Sequence, residues 1–169
     1  MRAGEGKMID IALASGAADF ELGRWIIAEY AETPEVNGCF RNLPGELAGL
    51  AELYTPPRGR LFLARSASEA VGCAGIHLLG DDTAEMKRLY VRPAFRGQGT
   101  GRALIEAIIG AAREMDLRAL RLDTLPSMET AAALYRRVGF REIPPYKKMR
   151  ILENATFMEF PLDFHLGTR

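Results

Sequence analysis

A chain of 169 residues, 48% apolar and 26% charged, is long enough for one well-buried globular domain and short for two. Twenty-two basic side chains balance twenty-two acidic ones, which excludes bulk attraction to nucleic acid, and no apolar run approaches the ~20 residues of a membrane span. The only cysteines, Cys39 and Cys73, form no CxxC pair, so neither a disulfide framework nor a zinc knuckle is indicated.

In chain order, the start MRAGEGKMIDIALA lacks a signal-peptide core, and a cytoplasmic protein is expected. Met8–Ser15 alternates as a first strand. Ser15 and Asp19 can cap a helix over Phe20–Ala31, and a second helix, Pro44–Tyr54, begins on proline and stops before Pro56-Pro57. RLFLARSA and AVGCAGIHLL read as a hairpin with a loop of several residues, and AEMKRLYVRP as a third strand closed by Pro93. A glycine cluster then leads into a helix reaching about Met115, with Leu104, Ile108, Ala111 and Met115 on one face. LRALRLDT is a strand, SMETAAALYRRV a helix capped by Ser127 and closed by Gly139, and FREI and ATFMEFPLDF are two last strands flanking the loop IPPYKKM. Strand, two helices, three strands, helix, strand, helix and two strands make one mixed α/β sheet with a βαβ crossover through the glycine-led helix. Residues 1–169 are expected to be a single domain with short flexible ends at 1–6 and 165–169.

Charge is unevenly spread. Residues 1–58 carry five basic and nine acidic side chains, whereas 84–102 carry Lys87, Arg88, Arg92, Arg96 and Arg102 against Glu85 alone. The glycine cluster, Arg96-Gly97-Gln98-Gly99-Thr100-Gly101, lies in that basic stretch, directly after a strand and before a helix. A helix N-terminus offers unpaired N–H groups and partial positive charge, and glycine lets an oxygen come close, so the cluster reads as a phosphate cradle; a ligand-free tight turn is the alternative. It is not a P-loop, since no Lys-Ser/Thr follows, nor a dinucleotide fingerprint, since Arg102 stands where the third glycine belongs.

The pattern R-x-x-G-x-G at Arg96–Gly101 closely resembles the coenzyme-A pyrophosphate loop of the GNAT N-acetyltransferase superfamily. KRLYVRPAFRGQGTGRAL and SMETAAALYRRVGF resemble that family's fourth strand with its loop and helix, and its later LY-x-x-x-GF segment; together they cover about residues 84–145. The resemblance implies a mostly antiparallel mixed sheet of six to seven strands, splayed where acyl-CoA binds and flanked by about four helices. It implies acetyl-CoA as acyl donor, with no metal, and an amine acceptor. Leu89, Tyr90 and Val91 would then run beside the pantetheine, with a bulge freeing backbone groups for the thioester carbonyl. Arg96 to Gly101 would hold the pyrophosphate, and Arg137 would reach the adenosine phosphate end. Met128 stands where many members have a pantetheine-binding asparagine, and Ser127 beside it is the substitute.

Amine acetylation needs a deprotonated amine, donors for the oxyanion and a proton for the departing thiolate. Glu85, eleven positions before Arg96, is where members using a carboxylate base carry it, and burial would raise its pKa toward useful basicity; pairing with Lys87 or Arg88 is the alternative. Tyr135 matches the family's general acid, or serves as a core tyrosine. His77, a lone strand histidine, is a base or acceptor-site residue or is simply hydrogen-bonded or exposed, and Trp25, Phe20 and Phe40 line an acceptor pocket or pack helix to sheet. The acceptor cleft is expected between the N-terminal helices and the IPPYKKM loop, including Tyr146. The nearby Glu29, Glu32 and Glu35 point to a small primary amine as acceptor rather than an anionic substrate. Neither cysteine sits in a nucleophile motif, so direct attack in a ternary complex is expected. A protein lysine or N-terminus as acceptor, or a non-catalytic acyl-CoA-binding module, are the other functions the sequence admits, and the resemblance also makes a homodimer an expectation.

Overall fold

The alternating run near the start pairs as the outer strand of a seven-stranded sheet. In the computed structural model, which describes residues 8–148 and 153–162, the chain runs β1 (Ile9–Leu13), α1 (Gly16–Ala31), α2 (Leu43–Ala48), α3 (Leu50–Leu53), β2 (Gly59–Ser66), β3 (Glu69–Leu78) and β4 (Thr83–Val91). A 3-10 turn at Pro93–Phe95 follows, then α4 (Thr100–Glu114), β5 (Ala119–Thr124), α5 (Glu129–Val138), β6 (Arg141–Ile143) and β7 (Thr156–Pro161). Across the sheet the order is β1-β2-β3-β4-β5-β7-β6. Only β4 and β5 are parallel, and α4 is the crossover between them; the other neighbours pair antiparallel. The expected mixed, mostly antiparallel α/β fold is thus present. The expected flexible ends, 1–6 and 165–169, lie outside the described residues.

Two apolar layers sandwich the sheet. On one face α1 and α3 set Phe20, Ile26, Ile27 and Leu50 against Leu61 and Leu63 of β2. On the other, Leu104, Ile105 and Ile108 of α4 meet Val71, Ile76, Leu120 and Leu122. Close approach is built in: β3 passes under the Tyr54 ring at Gly75, where an added Cβ would overlap that ring. Gly75→Ala should therefore cost about 1–3 kcal/mol through forced repacking, read as a lower midpoint in chemical denaturation; an unchanged midpoint would contradict this packing.

Four local expectations are corrected. The Pro44–Tyr54 helix is two short helices meeting at Gly49, and Asn42 Oδ1 caps the first by accepting from Gly45 N at 3.2 Å. Helix α1 starts at Gly16, and Asp19 sits within its first turns, accepting from Ser15 N at 2.8 Å rather than capping from outside. The β2–β3 hairpin turns on Ala67 and Ser68 alone, because Ser66 pairs with Glu69 and Ala67 takes φ +55°. Ser127 does not cap α5; the residue before that helix is Met128, and the Ser127 hydroxyl donates to Glu35 O at 3.0 Å. Gly139 ends α5 at positive φ, as expected. No described helix is long and apolar enough to cross a membrane.

Candidate active site

The glycine loop is built from the residues that cause it. Gly97 and Gly99 have φ +73° and +83°, a backbone region that costs an L side chain roughly 1–2 kcal/mol, and among the described residues no atom beyond the chain neighbours lies within 4 Å of a Cβ at either. Open space, not protein, faces them. Gly101 differs: its Cβ would make ordinary contact with Leu134 at 3.4 Å, so it suits helix packing. Among the described residues no side chain caps α4, so its leading amides and dipole are directed at that space. The Arg96 Nε donates to Val91 O at 2.7 Å, tying the loop to the end of β4.

The sheet opens beside this loop. Strands β4 and β5 pair only from Thr83 to Glu85 against Ala119 to Arg121, and beyond that point they part. On its other edge β4 pairs Cys73 with Tyr90 but Gly75 with Lys87, so β4 carries one extra residue there. Arg88 absorbs it at φ +61°, and the bulge turns β4 where the strands separate. The expected bulge and splay are both present.

Two adjoining spaces result. A cleft of about 690 Å³ runs along the loop and is bordered by Arg96, Gly97, Gly99, Thr100 and Gly101. Tyr90, Val91, Ser127 and Arg137 border it as well. Gln98 does not; its side-chain amide donates to Ala94 O at 3.4 Å. Arg136 turns away to Glu142 at 2.8 Å. A smaller cavity of about 90 Å³ lies at the splay, between Met86, Lys87, Arg88, Leu122, Asp123 and Tyr135. Tyr30, Leu89 and Met128 border both, so the cleft and the cavity adjoin. Tyr135 is buried against Phe140, and burial pushes its phenol well above the ordinary range. Its hydroxyl makes no hydrogen bond to another described residue.

Glu85 is 1% exposed yet borders neither space. Its Oε2 accepts from Tyr146 Oη at 2.7 Å and from Lys147 Nζ at 2.8 Å; His77 Nε2 and Lys87 Nζ stand 3.7 Å from Oε1. Burial alone would raise its pKa, but His77, Lys147 and Tyr146 outweigh burial and pull it down to about 2. The expected rise in basicity is therefore overturned, because the IPPYKKM loop brings a cation and a phenol that the strand's own sequence does not announce. Lys147 also reaches Asp123 Oδ2 at 2.9 Å, so one ammonium joins β4 to β5 next to their parting.

Part of the acidic N-terminal wall is engaged, whereas Glu35 borders the long cleft. Glu29 accepts from Tyr90 Oη at 3.0 Å and from Arg92, and Glu46 accepts two bonds from Arg88 at 2.7 and 2.6 Å. Trp25 is 70% exposed and neither lines the cavity nor packs on the sheet, whereas Phe20 is core and Phe40 borders the cavity under the Arg88 guanidinium. Tyr146 lies outside the cavity lining, its ring edge-on to Phe157. Sequence reading missed Tyr30, Asp123 and Lys147; the polar end of LRLDT, emerging from an apolar strand, was the one available signal for Asp123.

Comparison with known proteins agrees with this geometry. The profile of the acetyltransferase (GNAT) family matches residues 17–140. An uncharacterised N-acetyltransferase of Schizosaccharomyces pombe is 34% identical over 140 residues, covering 82% of this chain and 86% of that protein. Among solved structures, an acetyltransferase of the GNAT family from Staphylococcus aureus superposes with a TM-score of 0.79 at 21% identity, over 92% of this chain and all of that one. The PaiA N-acetyltransferase of Thermoplasma acidophilum, solved in complex with coenzyme A, superposes with a TM-score of 0.72 at 14% identity, over 92% and 99%. These two likenesses concern the fold.

Proposed function

Because the chain belongs to the acetyltransferase (GNAT) family, whose members transfer acyl groups from acyl-CoA to amines, we propose that it moves the acetyl group of acetyl-CoA onto a primary amine of a small molecule. The observation that carries this reading is the opening between β4 and β5, through which the long cleft at the head of α4 meets the small cavity beside Tyr135. The uncapped amides of α4, with Arg96 and Arg137, suit a pyrophosphate and an adenosine phosphate. At ~10–15 Å³ per water-sized occupant, 90 Å³ favours an acceptor of only a few non-hydrogen atoms over a protein segment.

In this mechanism the amine nitrogen attacks the thioester carbon, and a backbone N–H at Leu89 or Tyr90, on the bulged strand, meets the oxygen as it becomes negative. The carbon–sulfur bond breaks, and Tyr135 gives its phenolic proton to the leaving thiolate. A carboxyl held near pKa 2 takes protons poorly, so Glu85 acts as a fixed negative charge and water receives the amine's proton. Burial pushes the Cys73 thiol up to about 12, and its Sγ donates to Arg88 O at 3.1 Å. That is a poor nucleophile, which supports direct attack without an acetyl-enzyme. Cys39 and Cys73 are both free thiols, in keeping with a reducing, cytoplasmic setting.

The test is amine-dependent release of free thiol from acetyl-CoA across a library of small primary amines. Release above the rate of acetyl-CoA hydrolysis is expected; release by hydrolysis alone, with every amine, would contradict the proposal. For the cradle, Gly99→Val should raise the KM for acetyl-CoA about ten-fold or more, since the side chain enters the open space and the left-handed backbone resists it. An unchanged KM in that variant would remove the loop from coenzyme binding.

A further inference from the structure

The charged groups bordering the small cavity are Lys87, Arg88 and Asp123. Two of them are hydrogen-bonded to partners of opposite sign: Arg88 to Glu46 at 2.6 and 2.7 Å, and Asp123 to Lys147 at 2.9 Å. Lys87 is not. Its ammonium makes no hydrogen bond to any described residue. The nearest carboxylate oxygen, Glu85 Oε1, is 3.7 Å away, and the carboxyl group it belongs to is already engaged by Tyr146 and Lys147. An ammonium has three donors, and none of those of the half-buried Lys87 is taken by a described residue. We infer that Lys87 is a specificity residue, binding the carboxylate of an acceptor that carries both an amine and a carboxylate, that is, a small amino acid.

This rests on the acetyl-transfer reading and gives its substrate class. It also reverses the acceptor charge expected from the sequence. Glu29 is taken by Arg92 and Tyr90 and Glu35 borders the long cleft, while the small cavity itself carries Lys87, whose one carboxylate neighbour among the described residues is 3.7 Å away. Burial, then Arg88 beside it, depresses the Lys87 pKa; an arriving carboxylate relieves both effects. Asp123 brings negative charge to the same cavity, which suits a zwitterion. A carboxylate, smaller than a phosphate, fits the 90 Å³ beside an acetyl group.

The experiment compares kcat/KM, with acetyl-CoA saturating, for three matched acceptor sets: small amino acids, their neutral amides, and their aminophosphonate analogues. In the wild-type protein the amino acids should lead the amides by about ten-fold, the value of one charge-assisted hydrogen bond. In Lys87→Met that ratio should fall toward one, and in Lys87→Arg it should stay well above one. A wild-type ratio at or below one, a ratio kept in Lys87→Met, or preference for the phosphonates each overturns the inference while amine acetylation itself still stands. Absence of thiol release with every set would overturn acetyl transfer, and this inference with it.

Discussion

Tyr135→Phe should lower kcat about 100-fold while leaving the KM for acetyl-CoA and the melting temperature near the wild-type values. Positioned proton transfer contributes about 10²–10⁴-fold. The low end applies because burial raises the phenol pKa and weakens it as an acid. The same shift keeps it protonated at every working pH, so the wild-type rate should not fall through its ionisation below about pH 10. Stability should hardly change, since the hydroxyl bonds to no other described residue and the ring, packed against Phe140, is retained. Steady-state kinetics with a thermal melt separate the roles. A large loss of stability with kcat maintained would make Tyr135 a core tyrosine and nothing more.

Lys147→Met should cost roughly 3 kcal/mol of stability. Removing one partner of a buried ion pair costs about 3–5 kcal/mol, and the low end is used because the Lys147 side chain is a quarter exposed while Glu85 is nearly fully buried. For a chain of this length that is a fall in melting temperature of roughly 6–12 °C. The pH dependence has a definite sign. Glu85 is depressed from 4.5 to about 2, so its contribution is fully present above pH 4.5 and is lost as the pH falls from there toward 2. Without Lys147, burial is opposed by His77 and Tyr146, with Lys87 on the same strand 3.7 Å away, and the acid loss of stability moves to higher pH. Adding Glu85→Gln to Lys147→Met should restore part of the loss, because the nearly fully buried charge is then gone, while Asp123 and Lys87, each more exposed, still lack a partner among the described residues. Melting curves from pH 3 to 8 read both effects. A variant as stable as the parent, with an unmoved acid limb, would contradict the bridge.

What the sequence conveyed well were local patterns with one physical solution. The β-rich run of β2 and the apolar face of α4 left few places for those elements to pack, and the glycine cluster announced an open loop ahead of a helix. It conveyed poorly whatever depends on two distant segments meeting. Glu85 in isolation is a carboxylate in an apolar strand, whose pKa should rise. Only the fold shows Lys147 and Tyr146, over sixty residues away, arriving to reverse that sign. The acidic N-terminal stretch shows the same limit, since Arg92 of β4 reaches across to Glu29 while Glu35 borders the cleft. Composition counts charges but not their partners.

The head of α4 as coenzyme cradle, with the thioester led along β4 to the splay, is tested most directly by amide chemical shifts in a ¹⁵N-labelled sample titrated with coenzyme A. The largest shifts should fall on Gly97, Gly99, Gly101 and Arg102, with a second group at Leu89 to Val91. Saturating coenzyme A that leaves those amides in place, or moves chiefly residues elsewhere, would contradict the assignment of this cleft.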